Sequence, residues 1–158
     1  LRILGARSGI FVFIGDAFKG YFSLYLCNLV LAQQENLLFS PSDYLFLSLI
    51  FSLIGHCYPI WFNFRGGKGA ATALGAFLFI DPYFVFFPMI GFLLVFLCSR
   101  FVGLSTISAF FILFLQTFFI DYGVHQNFHA FSLIIFLFIV YTHRSNIQSM
   151  FKGTEEKL

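Results

Sequence analysis

Between Gly55 and Gly75 the chain reads GHCYPIWFNFRGGKGAATALG, which sets a His, a Pro, two basic residues and a glycine-rich run between strongly apolar flanks. Within it, Gly66-Gly67-Lys68-Gly69 has little helix propensity, and Lys68 is expensive to bury in hydrocarbon. The segment is therefore expected to be a loop at a membrane edge. Three glycines around a lysine can bring several backbone N–H groups and one ammonium onto a single small volume, a geometry suited to a phosphate. The plainer reading is a flexible basic turn between two spans.

Other polar residues are sparse. His56 and His143 each end an apolar run, where the ring needs a partner; a hydrogen-bonded structural role competes there with acid–base work. Isolated Arg7, Arg100 and Arg144 read most simply as interfacial anchors. Rival chemistries can be tested against the letters. A Walker A loop needs G-x-x-x-x-G-K-[ST], but Phe62 stands at the first Gly position and Gly69 follows the lysine, so the loop does not match that of an NTPase. The serine-hydrolase elbow G-x-S-x-G does not occur. Cys27, Cys57 and Cys98 form no CxxC or Cys/His ligand spacing and read as small packing residues, so neither a metal nor a cofactor is expected. What remains is an anion site beside a membrane, with no obvious protein nucleophile.

The elements that must position such a site follow from composition. Of 158 residues, 59% are hydrophobic and 10% charged, and mean hydropathy is +0.90, which defines an all-α integral membrane protein. A net charge of +2 gives no indication of a nucleic-acid partner. Apolar runs at 10–32, 44–62, 70–80, 83–98, 104–120 and 128–141 predict about six transmembrane helices in one polytopic domain spanning 1–158. The run 70–80 is too short to cross alone, and Asp81-Pro82 breaks the chain after it. Asp16 and Lys19 interrupt the first run three residues apart, where they can pair on one helical face. The last sixteen residues read as a water-exposed tail. Arg2 and Arg7, Arg65 and Lys68, Arg100, and then Arg144, Lys152 and Lys157 fall on alternate turns. The positive-inside rule therefore puts the glycine loop and the tail on the cytoplasmic side, together with the polar clusters at His56–Lys68, Arg100–Ser105 and His143–Asn146.

At this point the residues resemble a known family. Gly55-His56-x-x-Pro59, Phe64 and Gly66-Gly67-Lys68-Gly69 look like the G-H-x-x-P-x-F-x-x-F-x-G-G-K-G motif of the bacterial acyl-phosphate-dependent glycerol-3-phosphate acyltransferases. His143-x-x-Asn146-Ile147, with Gly153 and Glu155, resembles that family's H-x-x-N-I-x-R-L-x-x-G-x-E motif. The opening LRILGARSG resembles the stretch after its first motif, S-G-N-x-G-x-T-N-x-x-R, with Arg2 in the last place. Trp61 stands for a Phe in the middle motif, and Ser149 and Met150 for Arg and Leu in the last. The rest of the first motif would lie before Leu1, so one more span is expected upstream.

The resemblance implies transfer of a fatty acyl group from acyl phosphate to the 1-hydroxyl of sn-glycerol 3-phosphate, giving lysophosphatidate and phosphate, in the bacterial inner membrane among its lipids. It implies that Lys68 and the Gly66, Gly67 and Gly69 amides bind phosphate with help from Arg2, and that His143 and Asn146 orient the reactants, with His56 as a further catalytic candidate. A small-anion transporter or channel, with Lys68 and the glycines as its binding gate, and an inactive remnant of the enzyme are the competing expectations.

Overall fold

The structure is a computed structural model that describes residues 5–119 and 128–157; the Asp121–Asn127 loop and Arg2 fall outside the described residues. All regular structure among them is helical: α1 (Gly5–Leu31), α2 (Pro41–Cys57), a 3-10 turn (Ile60–Phe62), α3 (Ala70–Ile80), α4 (Tyr83–Ser99), α5 (Val102–Gln116), α6 (Phe128–Thr142) and α7 (Arg144–Phe151). The chain divides into two compact units at Asp81/Pro82, the break that the sequence marks.

Local chemistry accounts for the boundaries. Ser40 caps α2 in a reciprocal box: its hydroxyl accepts from the Asp43 N–H at 3.2 Å, its own N–H donates to Asp43 Oδ2 at 3.3 Å, and Pro41 opens the first turn. Asp81 is extended before Pro82, which ends α3. Arg100 takes a left-handed conformation (φ 61°) that closes α4, with its N–H on the Phe96 carbonyl.

In the first unit α1 packs on α2 and α3, and its crossing with α3 is close. A Cβ on Gly20 would overlap the Thr72 carbonyl, and one on Gly75 would overlap the Ala17 carbonyl. Glycine is what lets the two backbones meet, as at membrane helix pairs generally. In the second unit α4 packs on α5, and α5 on α6 and α7. Pro88 lies inside α4 and cannot donate to the Phe84 carbonyl one turn earlier; Gln116 Nε2 donates there instead, at 3.1 Å. Two buried hydroxyls of α5 are returned to the preceding turn, Ser105 donating to Phe101 O at 2.8 Å and Thr106 to Val102 O at 2.9 Å.

Long stretches of α1 and α4 carry exposed Phe, Ile and Leu, Phe11 being 75% exposed, as a bilayer-facing surface requires. By length and apolarity, Arg7–Leu31 and Pro41–Phe62 can each cross a membrane. The pair α6 and α7, bent by 55° around His143, makes a third candidate. The helices α3, α4 and α5 are apolar but shorter, α3 covering only about 16 Å. Six apolar helices thus stand where the six runs fall, but length alone does not establish six full crossings. The tail is exposed as expected, with no residue of α7 buried, but it is not without structure. It forms α7, and Lys157 Nζ lies 5.5 Å from the Phe101 ring centroid, so the exposed end of the chain folds back on the start of α5.

Candidate anion-binding loop and polar helix end

The glycine loop begins where α2 ends. After Pro59 the short turn at Ile60–Phe62 is followed by Asn63 (φ 52°) and Phe64 (φ 59°), both left-handed, and the chain doubles back so that the Gly66 N–H donates to Cys57 O at 3.0 Å. A left-handed Phe is strained, a condition that collects at working sites. Ile60, Trp61, Phe62 and Phe64 are all exposed, Trp61 to 90%, and form the kind of aromatic fringe that seats at the membrane–water interface.

The loop then runs directly into α3. Gly69 is left-handed (φ 82°) at the helix N-cap, which a Cβ would strain, and Lys68 precedes it in an exposed position. The first amides of a helix have no intrahelical acceptor and carry the positive end of its dipole, so the lysine and these amides are adjacent in the chain. The helix expected over 70–80 is present, and its N-terminus adds amides to the glycine loop, a contribution that the loop residues alone do not reveal.

His56 lies beneath the loop. Its side chain is 9% exposed, and its ring occupies the space that a Cβ on Gly67 would need. A Cβ on Gly66 would in turn overlap the His56 carbonyl. On the other side, His56 Nδ1 is 3.5 Å from Asp16 Oδ1 and 3.5 Å from Lys19 Nζ, and Lys19 pairs with Asp16 at 2.7 Å. A cleft of about 550 Å³ opens here, lined by Lys19, Ser52, His56, Arg65, Gly66 and Gly67 among others. The Asp16–Lys19 pair expected on one face of α1 is present, but its reach to His56 on α2 is a tertiary fact.

His143 and Asn146 belong to the second unit. His143 is buried, 4% exposed, at the bend between α6 and α7, with Nδ1 2.8 Å from the Ile139 carbonyl. A carbonyl only accepts, so Nδ1 carries the hydrogen, and in the neutral ring Nε2 is the acceptor. Asn146 Nδ2 donates to Glu155 Oε1 at 2.7 Å, and its side chain packs where Gly103 leaves room: a Cβ there would come within 2.7 Å of the Asn146 Cβ. Gly103 and Glu155 thus support Asn146, a role that spacing along the chain does not reveal for Gly103. Ser105 is fully buried with its hydroxyl committed to Phe101 O, and Cys57 is buried.

Fold and site together define an integral membrane protein carrying a glycine–lysine loop fit for an anion, and the comparisons with known proteins make that class specific. The family model for glycerol-3-phosphate acyltransferase matches residues 1–153. A glycerol-3-phosphate acyltransferase of Fusobacterium nucleatum is 37% identical over 158 residues, covering 99% of this chain and 75% of the relative's length. One of Aquifex aeolicus is 35% identical over 156 residues, covering 99% and 77%. Crystal structures of the integral membrane glycerol 3-phosphate acyltransferase PlsY (YgiH) superpose on the fold. Its lysophosphatidic acid form gives a TM-score of 0.83, covering 99% of this chain and 76% of that one. Its glycerol 3-phosphate form gives 0.84, covering 99% and 74%. Both are 33% identical.

The chain belongs to the glycerol-3-phosphate acyltransferase family. It is a membrane acyltransferase of phospholipid synthesis, and the transporter alternative is not favoured, since these relatives are acyltransferases.

Proposed function

We propose that the donor is an acyl phosphate, and that the fatty acyl group passes from it to the 1-hydroxyl of sn-glycerol 3-phosphate at the cytoplasmic face of a bacterial inner membrane. The observation that carries this reading is the run Gly66-Gly67-Lys68-Gly69 leading into the N-terminus of α3, which offers one ammonium and several amides to a phosphate. The glycerol 3-phosphate form of the PlsY relative supports the acceptor. Basic residues on alternate turns support the orientation.

An acyl phosphate is a mixed anhydride and already activated. The hydroxyl oxygen attacks the carbonyl carbon, the bond from that carbon to the phosphate oxygen breaks, and the hydroxyl proton leaves with the departing phosphate. No protein nucleophile is needed, which agrees with the burial of Ser105 and Cys57. The protein's contribution is proximity and preorganised charge. Lys68 and the Gly67 and Gly69 amides neutralise phosphate, with Arg2 assisting, whereas the Gly66 N–H, expected to join them, is committed to the Cys57 carbonyl and closes the loop. His56 holds the loop in place; His143 and Asn146 orient glycerol phosphate or the reacting carbonyl. Residues 1–158 act as a single catalytic domain, and the acyl chain lies among the lipids.

Membranes carrying the full-length protein and given labelled acyl phosphate alone should show no acylated protein. Adding glycerol 3-phosphate should release lysophosphatidate and phosphate in equal amounts. Lys68→Ala should lower the rate about 10²-fold, the usual effect of removing one such charge-stabilising donor. Trapping an acylated Cys or Ser would overturn direct transfer. Near-normal turnover in Lys68→Ala would reduce that residue to an interfacial anchor.

A further inference from the structure

Lys19 has no part in the mechanism above, yet it stands inside α1, where the stretch from Ile10 to Leu31 holds Asp16 as its other charge. Ionisable side chains in apolar spans are costly and usually serve a purpose. The simplest purpose is mutual neutralisation, and the 2.7 Å contact between Lys19 Nζ and Asp16 Oδ1 provides that.

Three further observations exceed neutralisation. First, the two partners differ in exposure: the Lys19 side chain is 53% exposed against 21% for Asp16, so the lysine stays accessible while paired. Second, Lys19 lines the cleft beside the glycine loop together with Arg65, Gly66 and Gly67. Two cations and no carboxylate occur among the described residues of that lining, so the cleft suits an anion. Third, Lys19 is held firmly relative to the loop. Its neighbour Gly20 meets the Thr72 backbone and Gly75 meets the Ala17 backbone, so α1 is locked against α3, the helix that the loop begins. A lysine kept only to cancel Asp16 would require neither the cleft nor this fixed crossing.

We propose that Lys19 contacts a substrate phosphate in the cleft beside the glycine loop, with Asp16 as the positioning residue that holds its ammonium there. The inference rests on the reading of the loop as a phosphate site. The ligand chemistry is a phosphate monoester or acyl phosphate anion; both substrates carry one, and the experiment separates them.

Full-length protein in membranes is assayed with each substrate varied in turn, and melting in detergent reports folding. Lys19→Met, which keeps the apolar stem, should raise KM for one of the two phosphate substrates by about tenfold or more, as loss of one charge-assisted contact does. Lys19→Arg should recover most of that loss, and Asp16→Asn should raise the same KM by a smaller factor. The substrate whose KM moves identifies the phosphate. A folded Lys19→Met enzyme with both KM values within about threefold of normal overturns the proposal. So does an equal loss in the Met and Arg variants accompanied by lowered melting.

A second measurement needs no variant. In the unaltered protein, labelling of Lys19 by an amine-reactive ester, read by mass spectrometry, should slow at saturating glycerol 3-phosphate, acyl phosphate or inorganic phosphate. Labelling indifferent to all three overturns the proposal. The two readings fail separately: absence of acyl transfer in the unaltered protein sinks the donor assignment, whereas active protein with unchanged Lys19 behaviour sinks only the inference about Lys19.

Discussion

Gly67 rests against the Nε2 edge of His56, and no side chain larger than hydrogen fits between that ring and the loop backbone. The opposite edge of the ring is 3.5 Å from both Asp16 Oδ1 and Lys19 Nζ, so the imidazole spans from α1 to the glycine loop.

Gly67→Ala should therefore act on the site more than on the fold. The obstructing atoms belong to a side chain, which can rotate, so stability should fall by only about 1 kcal/mol. Rotation carries the loop or the ring away, and activity should drop about tenfold or more. Combining it with His56→Ala should give less than the sum of the two separate losses. Fully additive losses in kcat/KM would show that the two residues do not share this contact.

Gly20→Ala and Gly75→Ala should be worse for the fold, because the atoms each Cβ would meet are backbone carbonyls and cannot turn aside. Overpacking of this kind costs about 1–3 kcal/mol or more. Gly15→Ala, at a position with nothing within 4 Å, should be neutral or stabilising by up to about 1 kcal/mol. Melting of the three variants in detergent ranks them, and a Gly75→Ala as stable as Gly15→Ala would contradict the close crossing.

Gln116→Leu tests the substitute donor for Pro88. The loss should be about 1 kcal/mol, at the low end for a buried hydrogen bond, because Gln116 Oε1 is itself buried with no partner among the described residues and leucine removes that cost too. Pro88→Ala restores a backbone N–H for the Phe84 carbonyl, so the same Gln116→Leu change should cost less in that background. An unchanged penalty in the double variant would separate Gln116 from the proline.

At the helix end, Glu155→Ala should lower activity about tenfold through Asn146, whose amide loses its carboxylate partner at 2.7 Å. Glu155→Gln keeps an acceptor oxygen and should retain most of the activity. Asn146→Ala should reduce kcat by about 10²-fold with little change in melting, and the further loss on adding Glu155→Ala should then be small. Independent effects in that double variant would mean Glu155 acts elsewhere.

Cysteine labelling from each side of the membrane checks the orientation. Positions 68 and 152 should react from the cytoplasmic side and position 43 from the opposite side, as the alternation of basic turns requires. Reaction of 43 and 68 from the same side would refute it.

Much of this was open to reading along the chain, because helices, their breaks and a glycine-rich loop depend on neighbours in sequence. Ala70–Ile80 ends at Asp81 for a steric reason local to Pro82, the Ser40–Asp43 box closes within one turn, and Asp16 reaches Lys19 at helical spacing. The family's middle and last motifs are likewise contiguous strings. Only the tertiary structure decided which helix faces meet. Gly20 and Gly75 read in isolation as weak helix formers, and their purpose appears only once α1 and α3 cross backbone to backbone. His56 is a lone ring at a helix end until the chain doubles back at Asn63 and Phe64 and sets Gly67 on it. Asn146 lies in what reads as a polar tail, yet Gly103 and Glu155, distant in sequence from each other, hold it in place. Such contacts depend on the relative rotation and depth of whole helices, which close packing sets and residue order along one helix does not encode.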